Sequence, residues 1–72
     1  MKRSIAIDGH RTSVSLEDPF WSALGEIAAA RGMSVAAQIG EIDHGRGEMN
    51  LSAAIRTYVL AWYRERSATA AG

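Results

Sequence analysis

The 72-residue chain has no cysteine, one proline, two tryptophans, two tyrosines and one phenylalanine. Without cysteine it can form neither a stapling disulfide nor a thiolate zinc site. No apolar run approaches the roughly 18 residues that a membrane-spanning helix needs. There is no excess charge either, since eight basic residues balance eight acidic ones. That balance argues against a protein that coats nucleic acid by bulk electrostatics. The stretch from Met1 to Asp8 has two cations but lacks the apolar centre of a signal peptide, so a cytoplasmic protein is expected. With 47% hydrophobic residues the chain is too apolar for a disordered tail. At about half the length of a typical domain, one small domain without a second catalytic one is expected. A single copy this short buries only about 60% of the surface its unfolded form exposes, which points to an oligomer.

The charges are unevenly placed. Residues 1–16 and residues 50–72 are basic, through Lys2, Arg3 and Arg11 at one end and Arg56, Arg64 and Arg66 at the other. The middle is acidic, with Glu17, Asp18, Glu26, Glu41, Asp43 and Glu48 against Arg31 and Arg46. The two regions are expected to face different partners.

Residues 4–7 alternate in polarity, Asp8-Gly9 suits a two-residue hairpin turn, and a second alternation occupies residues 10–16. Such a turn pairs Ile7 with His10, Ile5 with Thr12 and Arg3 with Val14, which places the apolar sets of both strands on one face. The other face then carries Lys2, Ser4, Ala6, Arg11, Ser13 and Ser15. Asp18-Pro19 reads as the start of a helix over 19–31 that ends at Gly32, with Phe20, Leu24, Ile27 and Ala28 in its apolar stripe. Ser34 opens a shorter helix over 34–43, weakened by Gly40. A loop with two glycines follows, and Asn50 caps a last helix over 50–66, leaving 67–72 as a flexible tail. The expected class is mostly α with a short β-ribbon, in one domain over residues 1–66. A lone hairpin is marginal in water, and pairing the second strand with its copy in another subunit would support it.

The run His10-Arg11-Thr12-Ser13-Val14-Ser15-Leu16-Glu17, the helix opening Pro19-Phe20-Trp21 and the later Asn50-Leu51-Ser52-Ala53-Ala54-Ile55-Arg56 resemble the ribbon-helix-helix family of DNA-binding proteins. The resemblance covers about His10 to Arg64. It implies an intertwined homodimer whose intersubunit antiparallel strands form a ribbon that enters the major groove, a sequence-specific regulator of transcription, a repressor, of bacterial type. On the residues that match, Arg11, Ser13 and Ser15 would read bases, while Asn50, Leu51 and Ser52 would hold a backbone phosphate at a helix start. Lys2, Arg3 and Arg56 would supply further phosphate contacts. Residues 33–49 depart from the simplest members of that family, which join their two helices by a short turn. They read as an insertion that carries the extra helix.

Other readings use other residues. The acidic segment 41–48 could dock a protein partner, which would make the dimer an antitoxin-like or adaptor scaffold. Trp21, Tyr58, Trp62 and Tyr63 fall at helical spacing and read as core or dimer interface. His10, His44, Glu41, Asp43 and Glu48 lack metal-ligand spacing, so neither a metal nor another cofactor is expected. No nucleophile motif or phosphate loop is present, and no catalytic activity is expected.

Overall fold

A computed structural model describes residues 2–7 and 9–71, the side chains of 68–71 excepted. Two strands, β1 (Lys2–Ile7) and β2 (His10–Ser15), precede three helices, α1 (Asp18–Ala30), α2 (Val35–Gly45) and α3 (Leu51–Ala71). The strands pair antiparallel, with Ile7 opposite His10, Ile5 opposite Thr12 and Arg3 opposite Val14. This is the register that a two-residue connection imposes. Gly9 has φ +81°, in the left-handed region that glycine enters freely. Asp8, the other expected turn residue, lies outside the described residues. β1 starts at Lys2 rather than at residue 4, because the ladder continues out to the pair Lys2 and Ser15.

Local signals explain most helix ends, and three boundaries differ from expectation, one of them because α2 continues to Gly45, two residues into the expected loop. Glu17, rather than Asp18, occupies the cap position of α1, and its carbonyl accepts from the amides of Phe20 and Trp21 at 2.9 and 3.2 Å. The Glu17 side chain makes no cap bond. Asp18 instead becomes the first helical residue, where a negative charge suits the positive end of the helix dipole. α1 closes when Gly32 turns to φ +68° and the amides of Gly32 and Met33 reach back to the carbonyls of Ala29 and Ala28. The Ser34 hydroxyl caps α2 by accepting from the Ala37 amide at 3.0 Å, and Asn50 caps α3 through the Ala53 amide at 2.8 Å. The expected tail from residue 67 is instead helical backbone through Ala71. Three of those five residues are alanine, the best helix former.

The inner face of the hairpin closes over the helices, and Val14, Leu16, Leu24, Ile27, Ile39 and Ile55 are buried between them. α3 runs beneath β2, α2 packs against β1, and α1 touches both α2 and α3. The strand β1 and the helix α2 therefore cover one another on the same flank. At Gly40 a methyl group would sit 3.7 Å from Cγ2 of Ile7, an ordinary van der Waals separation. Gly40→Ala should consequently raise the unfolding free energy by about 1 kcal/mol, through helix propensity and an added contact. Urea denaturation measures this; a loss of stability would mean that α2 and β1 sit closer together.

Candidate nucleic-acid interface

Strand periodicity sorts the hairpin into two surfaces. Ile7 and Val14 are buried and Ile5 and Thr12 half-buried, whereas Lys2, Ser4, Ala6, Arg11, Ser13 and Ser15 are all exposed on the opposite face. Cross-strand pairing sets Lys2 beside Ser15, Ser4 beside Ser13 and Ala6 beside Arg11. The three candidate base readers thus share one face with a lysine and small residues. No ion pair among the described residues engages Lys2 or Arg11. An arginine here can present two parallel donors, and a serine can donate or accept without bulk.

The other candidate cations are placed differently. Arg3 belongs to the inner face, and its guanidinium lies 4.8 Å from the centre of the Trp21 ring. Arg56 donates to both oxygens of Glu17, from Nε at 2.9 Å and from Nη2 at 3.3 Å, and stands 6.0 Å from the centre of the Phe20 ring. The bonds from Arg56 hold the Glu17 carboxyl below the ordinary carboxylate range. Both arginines roof aromatic side chains at the start of α1.

The third group begins α3. Asn50 is committed to its cap bond, and Leu51 is half-buried in a crevice shared with Ile7, His10, Thr12, Asp43 and Arg46, near the hairpin turn. Ser52 is half-buried one residue further on. Arg46 fixes the approach to this helix start, donating from Nε to Oδ1 of Asp43 and from Nη1 to the Met49 carbonyl, each at 2.6 Å. In the sequence nothing marks Arg46 except its three-residue spacing from Asp43.

The acidic segment is largely occupied as well. Glu41 pairs with Arg31 at 2.9 Å, and Asp43 with Arg46. Nη1 of Arg31 also donates to Oε1 of Gln38 and to the Tyr58 hydroxyl, both at 3.0 Å, so one guanidinium joins three helices. The hydrogen bond to Glu41 raises the Arg31 pKa further above its already high value. A separate apolar groove of about 320 Å³ lies along α1 and α3, lined by Phe20, Val59, Leu60 and Tyr63 among others. Leu60 is 56% exposed and Tyr63 40%. Among the described residues no group of three His, Asp or Glu side chains could hold a metal ion, and no helix is long and apolar enough to cross a membrane.

Comparison with known proteins adds one positive finding. A family model described as a ribbon-helix-helix domain matches residues 1–63. No curated protein and no solved structure matches the chain.

The Glu17 and Arg56 pair carries a pH dependence of definite sign. A carboxyl whose pKa is lowered on folding contributes stability that is complete above its unfolded value and disappears as pH falls through the folded one. Both partners are solvent-exposed, so the effect is small. Thermal midpoints measured from neutral pH down to about pH 3 should fall less steeply for Glu17→Gln than for the parent. Superimposable acid limbs would show that the pair contributes nothing.

Proposed function

The chain belongs to the ribbon-helix-helix domain family, a family of DNA-binding regulators that typically act as dimers and not as enzymes, and from that premise we propose that it is a sequence-specific repressor of transcription. On this reading a homodimer enters the major groove with β2, and Arg11, Ser13 and Ser15 face the base edges. The observation that carries it is the exposed hairpin face, where these three residues stand together with Lys2 and Ser4 and no large apolar side chain intrudes. Lys2 and the capped start of α3 at Asn50, Leu51 and Ser52 are the proposed phosphate contacts. Arg3 and Arg56 would have to leave Trp21 and Glu17 before reaching a phosphate.

The apolar groove with Leu60 and Tyr63 supports the dimer, since association would remove that surface from water. Of the acidic segment, Glu41 and Asp43 already face arginines, so no observation favours a protein partner there.

The test uses the full chain with a duplex from its own upstream region and a random duplex of equal length. The parent should prefer its own fragment, with affinity that falls as salt rises. Arg11→Ala should lower that preference by about 1–3 kcal/mol while the circular dichroism spectrum stays unchanged. An Arg11→Ala variant that keeps the full preference would remove Arg11 as a reader. Equal binding to both duplexes by the parent would remove sequence specificity altogether.

A further inference from the structure

The segment between α1 and α3 builds a concavity that the hairpin face does not use. α2 and the loop after it pack on the first two turns of α3 and leave a crevice of about 340 Å³ between them. Its walls are mainly apolar, from Ile42, Gly45, Met49 and Ala54, and its polar groups include Glu41, Arg46 and Tyr58. Sites for small molecules are concave, mostly apolar and fitted with a few polar groups, and this volume lies at the lower end of their range. It suits a molecule built on a single ring.

The electrostatics of the wall select the kind of molecule. Glu41 faces Arg31 at 2.9 Å and Arg46 faces Asp43 at 2.6 Å, so each charge in the wall is already balanced. A charged ligand would give up its hydration without gaining an unpaired partner. Tyr58 offers something else. Its hydroxyl accepts from Nη1 of Arg31 at 3.0 Å, which leaves its own proton to donate. An acceptor on an otherwise apolar ligand can take that proton. Met49 is 45% exposed, and a methionine side chain adapts its shape to what it covers.

The same crevice touches the element that the DNA-binding reading uses. Arg46 lines it and also lines the crevice near the hairpin turn, so this one side chain separates the two. Through its bond to the Met49 carbonyl, Arg46 holds the residue before the cap Asn50. A ligand packed on Met49 and Ala54 would brace that loop against α3 and remove motion that phosphate binding must otherwise remove.

We propose that the crevice between α2 and α3 is an effector site for a neutral, largely apolar small molecule with one hydrogen-bond acceptor, and that its occupancy strengthens the hold of the α3 start on a phosphate. The second half rests on the DNA-binding reading above; the first does not.

Acetophenone is the probe, with a ring for the apolar walls and a carbonyl for Tyr58. Ethylbenzene has a similar shape without the acceptor, and benzoate and benzylammonium carry charge. In the full chain labelled at its methionine methyl groups, acetophenone should shift the Met49 signal saturably and leave that of Met33, which does not line the crevice, in place. Both charged probes should bind at least about tenfold more weakly. Tyr58→Phe should weaken acetophenone about fivefold, the worth of one hydrogen bond, and leave ethylbenzene unchanged. Gly45→Leu should abolish binding of both and still fold, checked by circular dichroism, because a Cβ at Gly45 meets nothing within 4 Å. No saturable shift at Met49, or one that survives Gly45→Leu, overturns the site. Tighter binding of a charged probe overturns the neutral class, and equal losses of acetophenone and ethylbenzene in Tyr58→Phe overturn the acceptor. Sedimentation should give the parent and Gly45→Leu the same oligomeric state; a difference would assign the crevice to a second copy and overturn the proposal. Saturating acetophenone should then tighten duplex binding at least about fivefold in the parent and not in Gly45→Leu, and the duplex should tighten acetophenone by the same factor. Unchanged or weakened duplex binding overturns the effector half. A parent that binds no duplex fails the DNA-binding reading and the effector half with it, while the Met49 titration decides the site by itself.

Discussion

Side chains on a strand alternate with period two, and in a hairpin the turn decides how the two alternations meet. Here a two-residue connection brings Ile7 to His10, Ile5 to Thr12 and Arg3 to Val14. A slip of one residue would put Val14 in water and turn Ser13 and Ser15 toward the core. Everything else depends on this register. It gives the helices an apolar face to cover, and it leaves an opposite face of serines, one alanine, one lysine and one arginine. The core and the exposed surface are two results of the same pairing.

The zero net charge conceals a division of labour among the cations. Arg3 sits over Trp21, Arg56 holds Glu17 beside Phe20, and Arg66 lies 3.2 Å from the centre of the Trp62 ring. Arg31 binds Glu41, Gln38 and Tyr58, while Arg46 closes the loop before α3. These five are part of the scaffold. Lys2 and Arg11 on the outer hairpin face are held by no ion pair among the described residues, so the charge offered there is local and does not follow from the sum.

What could be read from the sequence was what neighbouring residues decide. The hairpin register, the caps at Ser34 and Asn50 and the stop at Gly32 follow from local rules of turn and cap chemistry, and they appear in the structure. Glu17 is the counterexample. It stands at the cap position of α1, yet its carboxylate goes to Arg56, 39 residues away. Arg3 and Arg56 looked like free cations because nothing near them in the chain announced Trp21 or Glu17 as partners. The packing of α2 on β1 was hidden for the same reason. Gly40 reads as a weakness in a helix, whereas in the fold a methyl group there would rest against Ile7.

The two edges of the sheet have unlike chemistry. β1 begins with Lys2 and Arg3, and cations at a strand edge are among the devices by which proteins discourage further strands from adding. β2 has no such consecutive pair. A chain with an isoelectric point near 6.7 has little overall repulsion to keep its copies apart. Resistance to fibre growth then falls to one end of one strand. Strand addition is therefore discouraged by charge at the start of β1, while the edge of β2 carries no such consecutive pair.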